Sequence, residues 1–270
     1  MADHVTFQNG SGTDGLLESA ALAQLHPTLG VMVSIFLLPL RHPVPVARQL
    51  STIATQAPGR FSFGVGIGGE DPRELAACGI DPRSRGARTN EQLAILRKLM
   101  QGDSVDFSGD HFELSGVVIK PAPDPCIPII VGGRSDAALR RCGRYADGWV
   151  GVWCSPARYR EALERVNDAH QRSGRDPVQW QHGYQPWIGV DSDPRIARSV
   201  VKEAMERFYR IPFEKFERYT PYGTPAEVAE RLAPYAQSGC NFFNLKVCTQ
   251  HAEEEIALGG EVVAQMSQTA

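Results

Sequence analysis

The sequence predicts an α/β protein in which parallel strands alternate with helices. Three observations predict this class. Short, continuously apolar segments recur along the chain, as expected for strands buried on both faces. Segments of helical period follow them. No linker, repeat or shift in composition marks a second domain, so residues 1–270 are expected to form a single domain.

In the first part of the chain, residues 13–25 are a short helix candidate. The segment 29–38 is continuously apolar and rich in β-branched residues, which favours a buried strand over a helix. A helix is predicted over 45–55 because a proline opens it, and 60–66 is a second buried strand that ends in glycines.

Beyond residue 88 the pattern changes twice. Apolar residues gather on one side of 89–100, which predicts an amphipathic helix. Residues 105–120 then alternate weakly around two Ser-Gly pairs, so 103–120 is predicted to be a hairpin-like insertion. The rest of the chain returns to alternation. Strands are predicted within 127–133, 148–152, 178–190 and 241–247, and helices over 136–145, 156–173, 194–209, 225–238 and 252–266.

The predicted strands suit an open doubly wound sheet. A (β/α)8 barrel needs eight strands, and by this count the chain is about two short of one. Both architectures bind ligands at the carboxyl ends of their parallel strands. The candidate site residues are therefore those directly after the apolar segments.

Charge and composition exclude several classes of binding partner. The chain has 28 Lys and Arg against 31 Asp and Glu, a net charge of −3, so it has no positive field to collect nucleic acid or an anionic membrane. The longest apolar stretch, 29–40, is too short to span a bilayer, and the first residues lack the basic charge of a signal peptide. None of the six cysteines forms a C-x-x-C pair. We expect a cytoplasmic protein with a small-molecule substrate and no metal.

Two candidate positions carry polar side chains. Asp3 and His4 form an ionisable pair that could transfer a proton near neutral pH, although an ordinary surface pair is the commoner case. Ser34 puts a hydroxyl inside an apolar strand, where it must bond the backbone or face a ligand.

Two further candidates are glycine-rich turns. In 64–70, alternating glycines permit a flat or phosphorylated ligand to approach the backbone, but their spacing does not match the dinucleotide-binding fingerprint. In 132–135, two glycines, an arginine and a serine link a strand to a helix and offer donors to a phosphate. The alternative is a tight turn capped by Ser135 or Asp136. Since no nucleophile or metal motif is present, a bound organic cofactor is expected to supply the reactivity.

Four segments, taken together, resemble the bacterial luciferase-like monooxygenase family. They are 39–70, 78–99, 128–149 and 220–240, and they occur in the family's order and spacing. The subset that the chain most resembles uses the deazaflavin coenzyme F420 rather than FMN. The resemblance implies a (β/α)8 TIM barrel with an isoalloxazine-type ring in the barrel mouth.

The resemblance also implies roles for individual residues. His4 would donate or accept a proton, Asp3 would orient it or bond the ring edge, and Glu70 is a weaker candidate acid. Ser34 and Ile35 match the position where many members hold a non-prolyl cis peptide behind the ring. The implied cofactor contacts are Ser34, Ile35, Gly66, Gly68, Gly132, Gly133, Arg134, Ser135, Val152 and Trp153, with 132–135 approaching the phosphate arm.

The chain departs from the family pattern in three ways. It begins where the family's second strand ends, so the first βα unit and most of the second strand are expected to be absent. Gly69 stands where relatives that oxidise sugar phosphates carry a carboxylate, and Ser155 occupies the place of a basic residue that grips the coenzyme's tail in some members.

The predicted function is hydride transfer between C5 of F420 and a small organic substrate. The alternatives are an FMN-dependent luciferase-like monooxygenase and a non-catalytic flavin-binding or truncated scaffold protein. Since members of the family are commonly dimers, a homodimer is a further expectation.

Overall fold

A computed structural model describes residues 3–8, 10–69 and 71–269. The predicted alternation of strands and helices is confirmed. The helices are α1 (Gly15–Leu25), α2 (Pro43–Gln56), α3 (Pro72–Ala77), α4 (Arg85–Met100), α5 (Asp136–Tyr145), α6 (Pro156–Gln171), α7 (Pro194–Tyr209), α8 (Pro225–Ala236) and α9 (Glu255–Thr269). The strands are β1 (Val31–Leu37), β2 (Phe61–Gly66), β3 (Val105–Ser108), β4 (Glu113–Val117), β5 (Ile129–Gly132), β6 (Gly148–Gly151), β7 (Gly183–Tyr184), β8 (Trp187–Val190), β9 (Tyr222–Gly223), β10 (Phe242–Phe243) and β11 (Lys246–Cys248).

The chain divides into two compact units. The first contains the described residues up to 148 together with 168–179, and the second contains 149–167 together with the residues from 180 onward. The single domain expected over 1–270 stays a prediction.

The first unit is built on the parallel strands β1, β2 and β5. Leu37 pairs with Gly66, and Val65 pairs with Val131, so the carboxyl ends of the three strands lie at the same edge. An antiparallel hairpin of β3 and β4 lies within the predicted 103–120 segment. Helices α2 and α4 bury apolar residues one turn apart. These include Val46, Leu50, Leu93 and Leu96.

The second unit contains two sets of parallel strands. Strand β7 pairs with β6 and with β10, and β8 pairs with β11 and with β9. An apolar cluster packs between helix α7 and this second set of strands. Its buried members are Trp187, Val201, Met205, Phe213, Phe216 and Cys248.

Helix α2 begins earlier than predicted, and helix α3 has no predicted counterpart. Helix α2 begins at Pro43 rather than residue 45, because the His42 side chain accepts the N–H of Val44 and caps the helix two residues earlier. Helix α3 was not predicted. It has six residues, too few to show a period, and the Asp71 side chain caps it.

The strand predicted within 241–247 is divided into β10 and β11. Asn244 N donates to Tyr184 O at 3.0 Å, and Lys246 N donates to Pro186 O at 2.9 Å. Pro186 has no N–H and interrupts the strand between β7 and β8. The segment paired with it is therefore also interrupted, between β10 and β11. Within the described part of the chain, no helix is long and apolar enough to cross a membrane.

His182 makes the stability of the second unit depend on pH. Its side chain is buried, and Nδ1 accepts the N–H of Trp149 at 3.1 Å. Burial lowers the pKa of His182 to about 4. Because the folded pKa lies below that of an unfolded histidine, the contribution is present above about pH 6.5 and is lost as the pH falls toward 4.

We therefore expect the free energy of unfolding to fall by about 2 kcal/mol between pH 7 and pH 5 through this group. His182→Asn, whose oxygen can replace Nδ1 as an acceptor, should remove most of that fall. Urea unfolding at the two pH values measures it, with exposed His251 replaced by Gln as the control. Equal pH dependence in wild type and His182→Asn would contradict the assignment.

Candidate functional site

At the carboxyl ends of β1 and β2, the side chain of Ile35 packs on glycines of the neighbouring strand. The Ser34–Ile35 peptide is cis, as the resemblance implies, and the register of β1 against β2 shifts there. A Cβ on Gly66 would lie 2.4 Å from Ile35 Cγ2, and one on Gly64 would lie 2.2 Å from Val33 O. Only glycine fits at these two positions, so Ile35 packs directly on the backbone of β2.

The loop after β2 also contains glycines. Gly68 and Gly69 have φ angles of +68° and +138°, which L-residues with side chains rarely adopt. Glu70, the weaker candidate acid, lies outside the described residues.

Asp3 is bonded to Leu37, Gly15 and Arg41 in this structure. It is 1% exposed, and its carboxylate accepts the N–H groups of Leu37 at 2.9 Å and Gly15 at 3.0 Å. Arg41 also donates to both oxygens through its two Nη atoms. These four hydrogen bonds match the acceptor capacity of a carboxylate. The role of Asp3 toward His4 or a ring edge stays a prediction. It ties the segment before α1 to the end of β1.

The carboxylate that contacts His4 belongs to Glu74 of α3. His4 Nδ1 lies 3.1 Å from Glu74 Oε2, and Glu74 is 3% exposed. The other oxygen accepts the N–H groups of Val5 and Thr6. Phe7 packs against the imidazole with its ring centre 4.3 Å away. Because a carboxylate only accepts, Nδ1 carries hydrogen, and neutral His4 presents Nε2 as an acceptor.

Glu74 and Arg41 are the residues that the sequence reasoning missed. A signal for Glu74 exists, since Asp71, Pro72 and Glu74 have the spacing of an N-cap, a first-turn proline and an acidic residue in the first turn. That pattern predicts a helix but not its contact with His4. No comparable local signal marks Arg41.

The turn between β5 and α5 is capped as the alternative expected, and phosphate binding there stays a prediction. Ser135 caps α5, since its Oγ accepts the N–H of Ala138 at 3.2 Å. Gly133 has a φ of +114°, and a Cβ there would lie 3.0 Å from that of Ala138. Residues 133–137 are exposed. The turn is a capped helix start whose exposed side carries no bulky core residue.

The remaining predicted residues, Val152 and Trp153, lie in the second unit. Trp153 has a φ of +48°, and its ring centre lies 4.7 Å from those of Tyr209 and Phe216. It is thus fixed by an aromatic cluster, and its role toward a cofactor stays a prediction. Over residues 3–8, 10–69 and 71–269, no group of three His, Cys, Asp or Glu side chains could hold a metal ion.

Comparison with known proteins identifies the family. A family model described as luciferase-like monooxygenase matches residues 1–219. The chain belongs to the luciferase-like monooxygenase family. An uncharacterized protein of Mycobacterium tuberculosis is 34% identical over 216 residues, which cover 80% of this chain and 74% of that protein. The F420-dependent glucose-6-phosphate dehydrogenase 1 of Rhodococcus jostii is 28% identical over 229 residues, covering 74% of this chain and 67% of the relative.

Solved structures of luciferase-like proteins share the fold. An F420-dependent secondary alcohol dehydrogenase in complex with an F420-acetone adduct has a TM-score of 0.85 at 20% identity, covering 98% of this chain and 88% of that one. A monooxygenase from Streptomyces bottropensis has a TM-score of 0.82 at 21% identity, covering 100% and 87%. At these identities the likeness establishes the α/β fold with its parallel strands.

Proposed function

We propose that this luciferase-like protein is an F420-dependent oxidoreductase that transfers a hydride between the deazaflavin C5 and a small organic substrate. One observation carries the proposal. His4, held by the buried carboxylate of Glu74, directly follows Asp3, which is bonded to Leu37 at the end of β1. Leu37 pairs with Gly66, so the residue before His4 is bonded at the strand ends where Ile35 packs on Gly66.

The residues present fit a flat ring. Because Gly64 and Gly66 have no Cβ, the Ile35 side chain packs down on β2, and a planar group could lie against Ile35 at the end of β1. The identity of the ring as F420 is supported by relatives such as the dehydrogenase of Rhodococcus jostii, which is F420-dependent by name. F420, when bound, supplies hydride exchange at C5 of its ring.

The protein's own residues would supply the proton and the positioning. When the substrate is an alcohol, neutral His4 accepts the hydroxyl proton at Nε2, and in the reverse direction the imidazolium returns it to the carbonyl oxygen. Glu74 holds the ring orientation and stabilises the imidazolium. Glu70 is kept as a second candidate acid.

The phosphate arm would rest on 132–135, where the first exposed amides of α5 and the Arg134 side chain supply donors. Val152 and Trp153 would border the ring from the next strand. We further propose a (β/α)8 barrel for the complete fold and a homodimer in the cytoplasm. The expected absence of the first βα unit stays a prediction.

Absorbance titration tests the cofactor and separates it from the FMN alternative. The full chain is titrated with F420 and with FMN, and oxygen uptake is recorded during turnover. We expect saturable F420 binding and no oxygen uptake. FMN should bind at least about tenfold more weakly, a difference in binding free energy of about 1.4 kcal/mol. Tight FMN binding with oxygen uptake would support the monooxygenase, and binding of neither cofactor would support the scaffold.

A further inference from the structure

Arg85, the first residue of α4, is a half-buried cation whose hydrogen bonding is incomplete. Its Nη1 donates to Pro82 O at 2.7 Å. Its Nε is buried and has no hydrogen-bond partner. Within the part of the chain that the structure describes, no carboxylate lies within ion-pair distance of it. A buried donor left unsatisfied is costly and calls for an explanation.

The other buried or half-buried arginines of the first unit are accounted for. Arg41 pairs with Asp3, and Arg97 and Arg175 pair with Asp147. Arg60 donates to three backbone carbonyls, and Arg141 donates to Asn90 Oδ1 and Gly86 O. Arg88 lies over the Phe112 ring and donates to Pro39 O. Arg85 differs from all of them in keeping an unpartnered buried Nε.

The unsatisfied side of Arg85 faces the loop after β2. The Cβ position of Gly69 lies 3.7 Å from Arg85 Nη2 and 4.0 Å from Nε. Nε and Nη2 form the edge of a guanidinium that binds a planar carboxylate through two parallel hydrogen bonds. Gly68 and Gly69 have no side chains, so neither of them fills the space beside this edge.

We propose that Arg85 binds an anionic group of the substrate, a carboxylate above all, through its Nε–Nη2 edge. The inference rests on the proposed function, because it is the proposed ring at the end of β2 that makes this loop part of a substrate site. The substrate class is then an organic acid whose carbonyl or hydroxyl group reacts. The same chemistry could be presented by the phosphate arm of the cofactor, which the test below distinguishes.

The side-chain Nε–H signal of Arg85 provides the test. In a ¹⁵N-labelled sample of the full chain, with and without F420, the signal is identified by its loss in Arg85→Lys. We expect acetate to shift it saturably and acetamide, matched in shape but uncharged, to leave it in place. Arg88→Lys, which removes a satisfied guanidinium one turn along the same helix, should leave the acetate response intact.

Three results would overturn the proposal. The first is an equal response, or none, to acetate and acetamide. The second is a shift on Glu70→Gln with no acetate response, which would mean that the chain neutralises Arg85 itself. The third is that F420 shifts the signal and abolishes the acetate response, while a fragment of F420 that lacks the phosphate arm does neither. That result would assign Arg85 to the cofactor. An acetate response in a protein that binds no F420 would support the anion site while contradicting the proposed function.

Discussion

His4→Ala is expected to lower kcat by about 10²- to 10⁴-fold, the usual contribution of a positioned acid–base group. The dissociation constant of F420 should change by no more than about threefold, because the surface proposed for the ring is made of backbone and Ile35. Stopped-flow reduction of F420 and an absorbance titration measure the two effects separately. Unchanged turnover in His4→Ala would contradict the role of the imidazole.

Glu74→Gln tests whether the carboxylate positions that imidazole. The Gln side-chain oxygen can still accept the N–H groups of Val5 and Thr6, but a neutral amide group replaces the negative charge beside Nδ1. We expect kcat to fall by about 10- to 100-fold, as for other groups that orient a reacting histidine. The dissociation constant of F420 should change little, because Glu74 contacts His4 and the backbone N–H groups of Val5 and Thr6.

Glu91→Gln is the matched control for that experiment. Glu91 likewise accepts backbone N–H groups, those of Asp110, His111 and Phe112 in the β3–β4 hairpin. It has no hydrogen bond with His4, so its replacement should leave kcat unchanged. An equal fall of kcat in both variants would reduce Glu74 to a structural residue.

Asp3→Ala is expected to destabilise the fold by about 3–5 kcal/mol, the usual cost of removing one partner of a buried ion pair. The change leaves the Arg41 guanidinium with only the more distant Asp14 carboxylate, 3.8 Å from Nη2, and the N–H groups of Leu37 and Gly15 without this acceptor. Urea unfolding measures the loss. Glu203→Ala, which removes an exposed pair with Arg207, should cost less than about 1 kcal/mol.

Asp3→Ala also separates the structural role from the catalytic role that the sequence suggested. Its F420 turnover is measured at a temperature where the variant is still folded. If stability is unchanged and turnover is lost, Asp3 acts in the reaction and the structural assignment is wrong.

The element order was predictable because each strand and helix carries a local signal. The apolar segment 29–38 contains β1, and helices α5 and α7 begin and end at the predicted residues. The elements that were missed have little local signal of their own. Helix α3 has six residues, and β9 is the pair Tyr222–Gly223, whose strand character comes only from its pairing with β8.

The site was predictable in its glycine positions but not in its ion pairs. The glycines after β2 and β5 predict turns where a ligand could approach the backbone, and that signal is local. The partners of Asp3 and His4 are set by tertiary folding, since Arg41 lies 38 residues from Asp3 and Glu74 lies 70 residues from His4. Two neighbouring residues that read as one acid–histidine pair therefore belong to two separate interactions.

A crystal structure of the full chain with F420 tests the central claim most directly. We expect the deazaflavin ring against Ile35 and Gly66, with His4 Nε2 near C5 and the phosphate arm at 132–135. Electron density for the ring elsewhere, with residues 34–35 and 66–69 in contact only with solvent, would contradict it.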